Sequence, residues 1–183
     1  MKNKKWKLLS RKKVYDGSPY INIFIDKIEL PNGNTIDDYH RIEVNNAVML
    51  LIENENNELL VYNEYRHGIG EVSNTLPEGR IENKETKEET TKRELLEELG
   101  YEFSDFKILK KNIVSASYMF SELNYISIKN IKKVCEPSCV DIEDPDILWL
   151  SKNLLINAIK EDKFKGLTYA TAALIWLFYE EKK

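Results

Sequence analysis

An α+β fold is what the sequence predicts: a mixed β-sheet between helices, with a small antiparallel β appendage at the N-terminus. Three observations carry it. Apolar residues alternate with period two between turn signals over the first 44 residues, the pattern of antiparallel strands. Two short apolar runs follow at 47–52 and 59–65, of strand length. Later segments at 86–99 and 167–181 have helical length, and the second carries an apolar stripe at Leu167, Ala170, Ala173, Leu174 and Leu177.

Taken in order, residues 7–15 read as the first strand, ended by the turn Asp16-Gly17-Ser18-Pro19. Ile21, Ile23 and Ile25 alternate with polar neighbours up to Pro31-Asn32-Gly33-Asn34, and residues 35–44 return as a third strand. No helix is at hand to cover this small sheet, so a partner surface is expected there. The runs at 47–52 and 59–65, joined by Asn54-Glu55-Asn56-Asn57, are expected to pair in a core. Residues 67–75 contain two glycines and are expected as a loop, leading through Leu76-Pro77-Glu78-Gly79 to a helix over about 86–99 that stops at Gly100. Strands are expected at 106–113 and 123–131, with a loop at 115–122 between them. An acidic loop at 136–146, a strand at 147–150 and helices at 152–160 and 167–181 complete the chain.

At 183 residues, one domain with a small appendage is expected. A net charge of -4 and a pI near 5.4 argue against a general nucleic-acid binder, which would carry a basic surface. No segment approaches the roughly 20 apolar residues of a membrane span, and the basic N-terminus is not followed by a signal-peptide core. A cytoplasmic protein with no nucleic-acid or membrane partner is therefore expected, its two cysteines, Cys135 and Cys139, as free thiols.

The chemistry concentrates between Gly79 and Tyr101. Residues three and four apart on a helix share a face, so Glu94, Glu97 and Glu98 bring three carboxylates within about 6 Å of one another, with Arg93 beside them. Such crowding opposes folding unless a cation relieves it. Hard cations prefer carboxylate oxygen, and Mg²⁺ commonly shares itself with substrate phosphates, so Mg²⁺, with Mn²⁺ as the alternative, and a phosphate ester are the leading expectations.

The spacing Gly79, Glu85, Arg93-Glu94-Leu95, Glu97-Glu98, Gly100 and an apolar Tyr101 resembles the box of the Nudix hydrolase family. The resemblance implies an α/β/α sandwich with a mixed sheet. It also implies metal ligands at Glu94 and Glu98, with Glu97 sharing the cluster and the backbone carbonyl of Glu78 added. Arg93 and Glu85 would orient these carboxylates, and Gly79 would let a loop turn sharply and bring its backbone near metal or phosphate.

Wider stretches, Tyr15-Asp16-Gly17, Leu30-Pro31-Asn32-Gly33, Tyr62 to Arg66, Leu76 to Gly79 and Gly166-Leu167-Thr168, are similar to the ADP-ribose pyrophosphatase branch. That implies a homodimer through a subdomain at 1–44, a hydrolase domain at 45–183, and cleavage of a nucleoside diphosphate sugar. ADP-ribose is the first candidate, giving AMP and ribose 5-phosphate. Arg66 then becomes a substrate clamp. Where this branch carries a serine-proline-glycine stretch, this chain reads Ala116-Ser117-Tyr118, and the missing proline keeps GDP-mannose, another sugar nucleotide or a dinucleoside polyphosphate as alternatives, Tyr118 being similar to the base-stacking aromatic of Nudix enzymes that act on diadenosine polyphosphates. The branch also implies a glutamate general base after the box, with Glu143 ranked first and Glu122 second. A nucleotide-sugar sensor without turnover is a further alternative.

Overall fold

The structure is a computed structural model that describes residues 4–82, 84–138 and 145–180. The chain divides into two compact units, one of residues 1–46 with 112–122, the other of 47–111 with 123–183.

In the first unit, β1 (Lys7–Gly17), β2 (Ile21–Glu29) and β3 (Thr35–Glu43) form an antiparallel meander, with Lys12 opposite Ile25 and Ile25 opposite His40. The first residues of β9 (Met119–Lys133) continue it, Met119 and Phe120 running parallel to Ile42 and Glu43. β1 is the outer strand, exposed along its length up to Gly17, with Leu8, Val14 and Tyr15 facing out. Among the described residues of this unit the buried charge is Asp26, which accepts from Arg11 Nε and Nη2, both at 2.7 Å. The same guanidinium lies 5.4 Å from the centroid of the Phe24 ring, so the pair is fixed by shape as well as charge.

The second unit is built around β4 (Ala47–Ile52). It runs parallel to β9, Ala47 opposite Leu123 and Ile52 opposite Ile128, and antiparallel to β7 (Glu78–Arg80). A separate three-stranded sheet holds β5 (Leu59–Arg66) between β10 (Asp146–Leu150) and β6 (Glu71–Thr75). Alternation sends β4 side chains both ways. Val48, Leu50 and Ile52 pack with Leu95 and Leu99 of α1 (Lys87–Leu99), while Met49 and Leu51 join Leu155 of α2 (Lys152–Lys160) and Ala172, Ala173 and Trp176 of α3 (Leu167–Glu180). Helices therefore cover both sides, and the α+β class stands as the sequence predicts. Each fully buried Leu or Ile contributes about 1.5–3 kcal/mol, which is why the continuous apolar runs sit here.

Three expectations are corrected. Residues 71–75, expected as loop, form β6, because Glu71 to Thr75 have β5 as an antiparallel partner that local composition does not announce. The runs at 47–52 and 59–65 do not pair as a ladder. Their side chains share the core, but among the described residues the one backbone bridge between them is Glu53–Leu59, and the two strands enter different sheets with longer-range partners. The strands after the box are longer than expected: β8 (Tyr101–Ser115) starts directly after Gly100, and β9 takes in Met119 to Glu122 from the supposed loop. Among the described residues no helix is long and apolar enough to cross a membrane.

Candidate active site

Helix α1 is set by its ends. Thr86 is the N-cap: its Oγ1 accepts from the Glu89 N–H at 3.2 Å, and Glu89 Oε2 accepts from the Thr86 N–H at 2.8 Å, a reciprocal box. Gly100 ends it in the left-handed conformation (φ 69°), as the sequence predicts. Beyond that, a Cβ at Gly100 would stand 2.1 Å from the Cys135 carbonyl oxygen. The Gly100 carbonyl accepts from the N–H groups of Val134 (2.9 Å) and Cys135, and the Glu97 carbonyl accepts from the Ser138 N–H at 3.0 Å. The carboxylate-bearing turn of α1 is thereby tied to residues 134–138.

With the helix fixed, Arg93 organises the acidic side chains. Its Nε and Nη2 grip both oxygens of Glu85 at 2.8 and 3.0 Å, and Nη2 also donates to the Arg80 carbonyl at 3.1 Å. Nη1 donates to Glu94 at 2.8 Å and Glu97 at 3.3 Å. Glu98 accepts from the Tyr62 hydroxyl at 3.2 Å. The guanidinium holds the Glu85 carboxyl down at about 2, so Glu85 stays ionised and keeps Arg93 in place. Glu94 goes the other way. Burial pushes its carboxyl up in spite of Arg93, so its anionic form lacks sufficient positive charge nearby.

Gly79 lies inside β7, opposite Val48, and not in a sharp loop. Its missing side chain serves Glu94: a Cβ at residue 79 would come within 2.1 Å of Glu94 Cγ and 2.4 Å of its Oε1. β7 and α1 thus form a cradle for one carboxylate. A hard divalent cation suits this donor set, all oxygen with one undercompensated anion. Among the described residues no three acidic, histidine or cysteine side chains are gathered as a metal group; Glu94 and Glu97 both accept from Arg93 Nη1.

A second polar cluster adjoins β7. Arg66, at the end of β5, has Nη2 3.3 Å from Glu78 Oε1 and Nη1 3.3 Å from Glu64 Oε1. Glu64 is buried and also accepts from Thr75 Oγ1. Tyr169 of α3 accepts from Arg66 and donates to Glu78 Oε1 at 2.9 Å. Burial first, and then Glu78, pushes the Tyr169 phenol far up, so it remains a neutral O–H donor. Sequence reasoning reached Arg66 and Glu78 but missed Glu64, Thr75 and Tyr169. The one signal was Gly166, three residues before Tyr169: a Cβ there would stand 2.6 Å from the Tyr169 ring.

The remaining sequence candidates for the site, Tyr118, Glu122 and Glu143, are not among the second unit's described residues. Tyr118 and Glu122 belong to the first unit. Tyr118 is about half exposed, in a cleft of about 330 Å³ that also has Tyr39, Arg41 and Phe120 on its walls. There the Arg41 guanidinium sits 5.0 Å from the Phe120 ring centroid, and its Nη1 is buried with no hydrogen-bond partner among the described residues, 3.4 Å from Glu43. The Glu122 N–H donates to Asn46 Oδ1 at 2.9 Å. Glu143 and Cys139 lie outside the described residues, and Cys135 is an exposed free thiol.

Comparisons with known proteins agree with this layout. A model of the NUDIX domain matches residues 44–137, and one of the nucleoside diphosphate sugar hydrolase N-terminal domain matches residues 6–42. A methanol dehydrogenase activator of Bacillus methanolicus is 23% identical over 158 residues, 86% of this chain and 84% of the relative. An ADP-ribose pyrophosphatase of Bacillus subtilis (strain 168) is 27% identical over 101 residues, 55% of this chain and 54% of the relative. A crystal structure described as an ADP compounds hydrolase superposes with a TM-score of 0.83 over 97% of this chain and 95% of that one. At 20% identity, that likeness speaks to the fold.

Proposed function

The chain belongs to the Nudix family as an ADP-ribose pyrophosphatase-like hydrolase, and from that premise we propose that it cleaves the pyrophosphate bond of a nucleoside diphosphate sugar with the help of a divalent cation. ADP-ribose is the first candidate substrate, giving AMP and ribose 5-phosphate. The observation that carries the substrate class is the match of residues 6–42 to the N-terminal domain of nucleoside diphosphate sugar hydrolases, since a box alone does not select a substrate.

In this reading Glu94 and Glu98 would hold the cation, with Glu97 in the same cluster and the Glu78 carbonyl beside them. Mg²⁺ is the expected ion, with Mn²⁺ as an alternative, and it would neutralise phosphate oxygens and acidify a water. The chain's own contribution is positioning. Glu85 fixes Arg93, Arg93 aims Glu94 and Glu97, and Gly79 leaves the space in which Glu94 lies. Arg66 would grip the pyrophosphate, its planar fork suited to two phosphate oxygens. Glu143, or else Glu122, would take the proton from water. The strands of residues 1–44 would pair two copies into a homodimer.

A second reading keeps the reaction and changes the substrate to GDP-mannose, another sugar nucleotide or a dinucleoside polyphosphate. It is favoured by Tyr118, whose exposed ring shares its cleft with Arg41 and so offers a stacking surface beside a cation. A product-release screen over ADP-ribose, GDP-mannose, UDP-sugars and diadenosine polyphosphates, with Mg²⁺ and with Mn²⁺, separates the two. Turnover of none of them would favour a nucleotide-sugar sensor. Light scattering on the full-length chain tests the dimer, and a monomeric mass would refute it.

A further inference from the structure

Packing alone does not account for the contacts of Tyr169. Its ring fills space in the core beside Ala172 and Ala173, a task phenylalanine would perform equally well. The hydroxyl is placed between a cation and an anion, accepting from Arg66 and donating to Glu78. The surrounding backbone fixes the phenol there. Gly166 makes room for the ring, and the link between α2 and α3 is tied to β6, the Asn74 N–H donating to the Lys163 carbonyl at 2.8 Å and the Lys165 N–H to Ser73 Oγ at 3.0 Å. Ser73 and Asn74 are both buried.

We propose that Tyr169 is a positioning residue for the anion clamp, holding Arg66 against its own ring and moderating the grip of Glu78 on it. A guanidinium lying between two carboxylates, Glu64 and Glu78 at 3.3 Å each, would otherwise be neutralised in place. Glu64 already shares its Oε1 with Thr75, and the Tyr169 hydroxyl occupies the same Glu78 oxygen that Arg66 approaches. Each of these donors draws charge from a carboxylate that competes with the phosphates. The Arg66 guanidinium also lies 5.5 Å from the Tyr169 ring centroid, a contact that does not use up its N–H donors. The inference rests on the hydrolase reading in taking pyrophosphate as the anion Arg66 meets.

The test is a double-mutant cycle, Y169F, R66K and both together, in the full-length chain, read by calorimetric binding of magnesium pyrophosphate, with thermal melting of each variant and steady-state kinetics on ADP-ribose. Y169F is expected to weaken pyrophosphate binding about 5- to 20-fold, the loss of one hydrogen bond to a charged group, and to raise KM with kcat within about twofold. In the R66K background the second substitution should add nothing. Gly166→Ala, which displaces the ring and leaves the hydroxyl, should weaken binding in the same direction and supplies the readout if Y169F does not fold. Wild-type affinity in Y169F, effects that add in the cycle, or a wild-type chain that does not bind pyrophosphate would each overturn the assignment. A wild-type chain that binds pyrophosphate with a non-additive cycle, yet cleaves no nucleotide sugar, would instead remove the hydrolase reading and leave Tyr169 in its role.

Discussion

Gly79→Ala is the sharpest perturbation of the metal cradle. The new Cβ would lie 2.1 Å from Glu94 Cγ and 2.4 Å from Cδ, whereas non-bonded carbons rest about 3.5–4.0 Å apart. The Glu94 side chain must therefore retreat by roughly 1.5 Å, and its 2.8 Å bond to Arg93 Nη1 cannot survive unchanged. Misplacing a catalytic group by about 1 Å costs on the order of 10²-fold in rate. The folding cost of inserting one methyl is about 1–3 kcal/mol, and the lower end applies because Glu94 keeps 13% of its side chain exposed. Turnover with saturating Mg²⁺ should thus fall about 100-fold in a protein that still melts cooperatively. Gly68→Ala is the control: nothing lies within 4 Å of a Cβ there, and both rate and melting should stay at wild-type values. A Gly79→Ala protein with wild-type kcat and wild-type Mg²⁺ dependence would refute the cradle.

Three further outcomes follow from the same contacts. Glu98→Gln should lower kcat by about 10²-fold or more while circular dichroism and melting show a folded chain, because the amide still accepts from Tyr62 but is a poor ligand for a hard cation; full activity would unseat Glu98. The Glu85 carboxyl is held at about 2 against an ordinary 4.5, so in that interval the unfolded chain binds more protons than the folded one, and stability is lost as pH falls through it. Glu85→Gln should remove that part of the acid-side loss, whereas Glu94, pushed up by burial, acts in the opposite sense; an unchanged slope in urea titrations between pH 4.5 and 2 would contradict the Arg93–Glu85 pairing. Asp26→Asn leaves Arg11 facing a neutral group in the first unit and should destabilise it by about 2–4 kcal/mol in denaturant titration, a loss below 0.5 kcal/mol being the contrary result.

How far the chain could be read in advance depended on the range of the interactions. The box was legible because its pattern is local: Glu94, Glu97 and Glu98 fall at helical spacing on α1, and Thr86 and Gly100 mark the ends of their own helix. β6 was not legible, because Gly68 and Gly70 read as loop and Glu71 to Thr75 gain strand character only from β5. The pairing of β4 with β9 joins residues more than 70 positions apart, and no local pattern distinguishes it from the nearer partner β5. Gly79 was noticed for the wrong physical reason: its value lies in a side chain 15 positions later and not in backbone freedom. Tyr169 escaped altogether, since an aromatic residue on an apolar helix announces core, and its hydroxyl meets Arg66 across 103 positions.

The lacing of α1 to residues 134–138 has an evolutionary consequence. Gly100 and Glu97 take their backbone bonds from Val134, Cys135 and Ser138, so the last turn of the helix is braced before the chain enters the acidic stretch that follows. Insertions, deletions or recomposition beyond Ser138 can then accumulate without disturbing the geometry of the glutamates upstream. The glutamates of α1 and the candidate base Glu143 are thus open to separate change: a variant can lose the base and keep the carboxylate geometry of the helix.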